Sequence, residues 1–475
     1  MVESSHTDLM LNDESPRDAP RKRARFDQQV DLTDTASGEH PLRVQPLGQQ
    51  FVQTSAVRTS RAALGSFAQL DDDGLLVLLA HLDARGLLQL ASTTPAMLAF
   101  CYDESLWRTL TLDAFEGDWL WRGSWQATFR ARAALPPLAA SVSAHGLFSD
   151  VLFASFLARH AAFDDAWLAR ESIERRDAAT LSVDEFRRAF EAANRPVLIT
   201  GIPSVARAVQ QWHDRSYLLS CFGAQPVHAR GTDMPLSEFF AYADANDDEM
   251  PLYVFDKAAF DKCPRLAADF DVPAYFSDDC FALLPADVRP SFRWLLIGHR
   301  RSGSSWHKDP NYTNAWNATI TGTKKWLLLP PNVRPPGVFA DRDEVEVTVP
   351  LSIVEWFMQF YSECRKLKPI EVVTRPGDVL FVPRGWWHTA LNFDYCVAIT
   401  QNYAPSSSML GVVDWLEAHP QNASGTRVGG AELAACLRGA LHAQRPGLLE
   451  QQQAVREQKM FGATQKTFRF GFFGE

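Results

Sequence analysis

The chain predicts an α+β protein: a small β-barrel or double-sheet jelly roll, with short helices before it and a helical segment after it. Three observations predict this. From Trp212 to about Tyr403, short apolar runs alternate with Pro, Gly and Asp turn signals, apart from a helical insertion near Ile353 to Arg365. Upstream, Leu75, Leu76, Leu78, Leu79 and Leu82 recur at helical spacing. Downstream, Leu416, Leu433, Leu437 and Leu441 mark the C-terminal segment as helical.

Composition narrows the function classes. The 475 residues, 46% of them hydrophobic, allow two or three domains with ample core material. A net charge of −10 gives no overall electrostatic case for nucleic-acid binding, and no direct nucleic-acid contact is expected. No apolar run reaches the roughly 18 residues of a membrane span. The N-terminus, with Glu3, Asp8, Asp13 and Glu14, lacks a signal-peptide pattern, so an intracellular location is expected. Seven scattered cysteines, without a Cys-x-x-Cys pair, suit reduced thiols rather than disulfides or a zinc knuckle.

Residues 1–61 are polar and poor in periodic apolar positions, which predicts disorder. Within them Arg21-Lys22-Arg23-Ala24-Arg25 is a basic cluster of the kind that serves nuclear import, giving a nuclear expectation, with a solvated charge run as the alternative. In 62–115, Asp71-Asp72-Asp73 favours a helix start through capping and the helix dipole. Leu87, Leu88, Leu90 and Ala91 follow Asp83-Ala84-Arg85-Gly86, and Ser105-Leu106-Trp107 ends a third short segment. This order resembles an F-box, although Gln69-Leu70-Asp71 stands where that family usually opens with Leu-Pro. The resemblance implies docking on a Skp-type adaptor of a cullin ubiquitin ligase. A plain Leu-rich helical hairpin packed on the next domain is the alternative. Residues 116–179 read as a helical connector, with Trp119, Trp121, Trp125 and Phe129 buried in packing. The β domain is expected over 180–410, its first strand in Asn194-Arg-Pro-Val-Leu-Ile-Thr-Gly201, and the helical tail over 411–475.

The chemistry concentrates in the β domain. His307 and Asp309, two apart on an extended strand, project to one face. His388 comes 81 residues later, so only folding could bring it to them. Its setting supports that: Pro376-Gly377-Asp378 is a turn, Val379–Val382 a buried strand, and Gly385 permits a tight bend before Trp386-Trp387-His388. Two histidines and a carboxylate are the ligand set of a non-haem Fe(II) centre with open positions for dioxygen and an oxoacid. A dicarboxylate cosubstrate would also need a buried cation and a hydroxyl for its distal end. Lys324 and Thr400 are the candidates, with Lys325 competing for the first role; strand parity alone does not choose, and the lysine that points outward is expected to be solvated. Thr400 and Asn402 share a strand face, as do Asn317 and Thr319, so polar groups could line one wall.

His307-Lys-Asp-Pro, Asn314-Ala-Trp-Asn-Ala318, Gly322-Thr-Lys-Lys-Trp326, Pro376-Gly-Asp378, Gly385-Trp-Trp-His388 and Ala398-Ile-Thr-Gln-Asn402 together resemble the JmjC family of Fe(II)- and 2-oxoglutarate-dependent oxygenases. Within it they are most similar to the phosphatidylserine-receptor-like branch, over roughly residues 180–405. The resemblance implies a cupin-like double-stranded β-helix with His307, Asp309 and His388 as iron ligands. It selects Lys324 over Lys325 and pairs it with Thr400 at the distal carboxylate. It adds Asn317 and Ser304 as polar contacts and Tyr253 as a hydroxyl donor to the cosubstrate, with Asn402 on the same wall. Lys308 departs from the smaller or apolar residue expected there, and is expected to point away from the metal. The implied activity is a dioxygenase that uses dioxygen and 2-oxoglutarate to hydroxylate a protein side chain, either at lysyl carbon or at an N-methyl group of lysine or arginine, which then leaves as formaldehyde. The competing reading is a non-catalytic substrate receptor whose barrel only recognises a partner.

Overall fold

The computed structural model describes residues 40–51, 60–135, 143–341, 344, 346–349 and 351–467. The basic cluster at 21–25 lies outside them. Residues 40–51, expected to be disordered, are instead built into the fold. Val44 is buried and Gln45 forms a parallel bridge with Phe148, because this short stretch finds backbone partners at Ala144 and Leu147.

Four short helices follow, Asp72–Leu79, Ala84–Ala91, Pro95–Cys101 and Glu104–Phe115. Each start is capped: Asp71 accepts from the Gly74 amide, Asp83 from Gly86, Thr94 from Met97 and Asp103 from Ser105. Leu75, Leu79, Leu87 and Trp107 turn inward and join one continuous core with the β domain. Trp119 and Trp125 are buried there as expected, and the Trp125 indole donates to Asp248 of the β domain at 2.7 Å. The helical part therefore shares its interior with the barrel.

Fifteen strands are present among the described residues. They are β1 Arg175–Asp177, β2 Val197–Thr200, β3 Pro226–Ala229, β4 Thr232–Pro235, β5 Tyr253–Asp256, β6 Arg293–Gly298, β7 Gly303–His307 and β8 Asn314–Thr321. Then come β9 Lys324–Leu329, β10 Phe339–Ala340, β11 Val347–Thr348, β12 Ile370–Thr374, β13 Val379–Val382, β14 Trp387–Asn392 and β15 Cys396–Tyr403. A nine-stranded sheet in the order β1-β2-β13-β8-β15-β6-β5-β3-β4 faces a four-stranded sheet in the order β12-β9-β14-β7. Among the described residues the strand pairings of these two sheets are antiparallel except β1 with β2. The two sheets enclose Leu198, Ala315, Trp326, Leu328, Val372, Leu380 and Ala390. Strand alternation sends Trp316, Ala318, Val379, Phe381 and Ile399 to the outer face of the larger sheet, against helices.

The expected insertion is a helix, Ile353–Lys366, which covers the smaller sheet with Trp356, Phe357 and Tyr361. The C-terminal segment is helical too, and Leu416, Leu433, Leu437 and Leu441 bury against Phe281 and Leu284. The region after Trp212 is less strand-rich than its turn signals suggested, since Arg215–Phe222 and Leu236–Ala245 are helices. Leu236, Phe239, Phe240 and Ala243 are buried at three- and four-residue spacing, a helical stripe short enough to read as an apolar run.

Candidate metal and cosubstrate site

β7 and β14 are neighbours, and their register sets His307 opposite His388. The two imidazole centroids are 4.1 Å apart. Asp309 follows β7 in extended conformation and lies with its Oδ2 3.8 Å from His388 Nε2. Ligand atoms from all three residues fall within 4.8 Å of one another. His307 Nδ1 is 2.7 Å from the Ser305 carbonyl, and His388 Nδ1 is 3.0 Å from the Trp386 carbonyl. A carbonyl only accepts, so each Nδ1 carries the proton and each Nε2 presents its lone pair, which is how a metal-binding histidine is oriented.

The electrostatics fit a cation between these groups. Burial pushes the Asp309 carboxyl up to about 6, against smaller lowering effects of His307 and Asn402. Burial likewise depresses the His388 imidazole to about 4, keeping it neutral. Asp309 Oδ2 is buried without a hydrogen-bond partner. An unsatisfied buried carboxylate oxygen beside two oriented imidazoles is the donor set that Fe(II) would complete, and the residues fit that ion.

The second group lies further along the barrel. Lys324, buried on β9, donates to the Tyr253 hydroxyl on β5 at 3.0 Å. Lys325 faces the other way and is also buried rather than solvated: its ammonium bonds Glu371 at 2.7 Å and the Arg170 carbonyl at 2.7 Å. The outer sheet face has a helix over it, so that lysine required an internal counter-charge. Thr400 and Asn317 are register partners on β15 and β8. The Thr400 hydroxyl donates to the Trp316 carbonyl at 3.3 Å, while Asn317 Oδ1 is buried and unpaired. Asn402 holds the Thr313 hydroxyl at 3.1 Å and stands beside Asp309. Ser304 pairs with Ala390, and the register shift between Ala390 and His388 lets Ser304 and His307, three apart, both take inward positions.

Three residues of this pocket were not singled out in the sequence. Asn392 is the register partner of Lys324, and its amide donates to Ser302 Oγ at 2.8 Å. A side chain at Gly298 would strike Ser302 Oγ, Tyr253 and Asn392 Nδ2 together, so these groups converge at one point where only glycine fits. Asn392 was findable, because it continues the period-two alternation of His388 and Ala390 along β14.

Comparisons with known proteins bear on the family of the chain. The Cupin-like domain family matches residues 183–409. The chain is 41% identical over 382 residues to the arginine-specific demethylase JMJ22 of Arabidopsis thaliana, covering 79% of this chain and 75% of that protein. It is 34% identical over 247 residues to the bifunctional arginine demethylase and lysyl-hydroxylase psr-1 of Caenorhabditis elegans, covering 49% and 62%. A 2-oxoglutarate and iron-dependent oxygenase, JMJD4 of Danio rerio, is 25% identical over 233 residues, covering 46% and 53%.

Proposed function

The chain belongs to the JmjC family of cupin-like oxygenases, and from that premise we propose that it oxidises C–H bonds of protein side chains, N-methylated arginine first among them. It is an Fe(II)- and 2-oxoglutarate-dependent dioxygenase. The observation that carries the site reading is the convergence of His307, Asp309 and His388 within 4.8 Å at one end of a barrel that also buries a lysine. Bound Fe(II) supplies dioxygen activation there, with 2-oxoglutarate as the co-reductant that leaves as succinate and carbon dioxide.

The protein's own groups have separable tasks in this proposal. His307 and His388 present neutral Nε2 atoms, and Asp309 supplies the anionic ligand. Lys324 and the Tyr253 hydroxyl hold the distal carboxylate by charge-assisted hydrogen bonds, with Thr400 and Asn317 on the adjoining wall. Trp326, Leu328 and Val372 line the interior and exclude water from it. The preference for arginine rests on the 41% identity to a relative named an arginine-specific demethylase. Lysyl hydroxylation is the second reading, since psr-1 is named for both activities. The matched region covers 62% of psr-1, so its whole set of activities is not carried over.

The test is purified protein with Fe(II), ascorbate, 2-oxoglutarate and a peptide panel, following succinate and formaldehyde together. Both should rise with methylarginine peptides and vanish in His307→Ala. Succinate without formaldehyde on unmethylated lysine peptides would select hydroxylation, and no succinate above the His307→Ala control would sink the proposal.

The same proposal gives the helices of 62–115 an adaptor-docking role in a cullin ubiquitin ligase, and the protein a nuclear location. Support for docking is a series of short capped helices with Leu78 left exposed on the first of them. Support for the location is the basic cluster at 21–25 alone. Co-purification of a Skp-type adaptor, and the distribution of a fluorescent fusion with and without residues 21–25, test the two parts separately.

A further inference from the structure

Lys308 stands between two of the metal-site residues, where a long cation has no evident use at the metal itself. Its side chain leaves the barrel on the outside. There the ammonium bonds Glu344 Oε2 at 2.7 Å and the Pro331 carbonyl at 3.1 Å, and lies 4.6 Å from the centroid of the Trp387 ring. Four segments therefore meet at one positive charge. The first carries His307 and Asp309, the second is the chain leaving β9, the third holds Glu344 between β10 and β11, and the fourth carries His388, next to Trp387. Glu344 is itself held by Arg334 at 3.0 Å, so the acceptor is fixed from its far side.

We propose that Lys308 is a positioning residue for the metal site, clamping the two ligand-bearing segments together from outside the barrel. The proposal rests on the metal-centre reading above. Its physical basis is geometric. His307 and His388 sit on neighbouring strands, but the pairing is shifted between His388 and Ala390, so the ladder beside the ligands is locally irregular. Asp309 lies past the end of β7, beyond any ladder hydrogen bond. A ligand set formed by a strand end and an irregular pair needs another constraint on its spacing, and Lys308 bridges both sides of it. The bond to Glu344 is partly exposed, so it adds little to global stability. Its effect falls on local geometry.

The experiment uses the full chain, stripped of metal and titrated with Co(II), read by the ligand-field absorption of the bound ion and by thermal unfolding of the metal-free protein. Lys308→Met keeps the length of the stem and removes the charge. It should weaken Co(II) binding by about tenfold or more, the usual cost of losing a group that orients metal ligands, and change the shape of the absorption band. Glu344→Gln should move both in the same direction. Lys308→Arg, which keeps charge and reach, should restore most of the wild-type spectrum, and metal-free unfolding should stay near wild type in all three. A Lys308→Met protein with wild-type Co(II) affinity and spectrum overturns the proposal. So does a spectral loss that comes with an equally large loss of metal-free stability and is not restored by arginine, which would mark a general structural role. If the wild-type protein binds no Co(II) while the His307→Ala control behaves identically, the metal-centre reading itself falls and takes the clamp with it.

Discussion

The Lys324 ammonium lies 3.0 Å from the Tyr253 hydroxyl, a contact that joins β9 of the smaller sheet to β5 of the larger across the barrel interior. A buried ammonium held by a neutral phenol keeps its charge available to an incoming anion. The contact thus ties two distant strands to one binding function.

Removing that charge should act on cosubstrate binding. Lys324→Met is expected to raise the KM for 2-oxoglutarate by roughly 10- to 100-fold, the worth of a charge-assisted hydrogen bond of about 1.5–3 kcal/mol. Tyr253→Phe, which removes a neutral partner, should raise it by less than about tenfold. Steady-state kinetics with varied 2-oxoglutarate separates the two, and an unchanged KM in Lys324→Met would remove the lysine from the pocket.

The neighbouring lysine should behave differently. Lys325 is paired in the interior with Glu371, which also accepts from the Tyr361 hydroxyl at 2.6 Å. Lys325→Ala leaves the buried Glu371 carboxylate with only a long, half-exposed ion pair to Arg365 at 3.8 Å and is expected to cost about 3 kcal/mol of stability. Denaturant unfolding checks this, with the KM for 2-oxoglutarate of the surviving folded protein near wild type.

The pH dependence of metal binding follows from Asp309. With its carboxyl pushed up to about 6 by burial, the metal-free site must release a proton from Asp309 below that pH, and apparent affinity should fall tenfold per unit from this group alone. His388, depressed to about 4, adds no competing proton above that value. Stability has the opposite sign for the two groups. The raised Asp309 contributes stability that is complete below the ordinary aspartate value near 4 and is lost as pH rises through about 6. The lowered His388 contributes stability present above about 6.5 and lost as pH falls through about 4. Metal-free Asp309→Asn should therefore unfold at higher temperature than wild type at pH 7, with the gap closing toward pH 4.

The helical module offers a clean separation of folding from docking. Leu75 and Leu79 are fully buried, so changing either to alanine should cost about 2–5 kcal/mol and says nothing of a partner. Leu78 is 39% exposed, and Leu78→Asp should leave unfolding within about 0.5 kcal/mol of wild type. Loss of adaptor co-purification in that variant, with unfolding unchanged, is the expected outcome. Retained binding would move the contact elsewhere.

The site was legible in the sequence to the extent that local periodicity reaches. His307 and Asp309 two apart, His388 after a Gly385 bend, and Thr400 with Asn402 on one strand are relations within single segments, and alternation fixes them wherever the strand lies. The capped helices after Asp71 and Asp83 are legible for the same reason, since a cap and its helix are neighbours in the chain. The helices at Arg215–Phe222 and Leu236–Ala245 were harder, because two turns of apolar stripe look like a short buried strand.

By itself, the sequence determined which residue types were present for a metal and an anion, and the strand faces each could share. Only the tertiary structure decided which of those faces is the inside. Lys324 and Lys325 are adjacent and chemically equal in the chain; Tyr253, 71 residues away, meets one, and Glu371, 46 residues away, neutralises the other. Alternation assigns adjacent residues to opposite faces, but a face becomes interior only when another sheet closes over it. That closure is set by pairings between strands far apart in sequence, and a buried charge survives there only where such a pairing also brings it a partner.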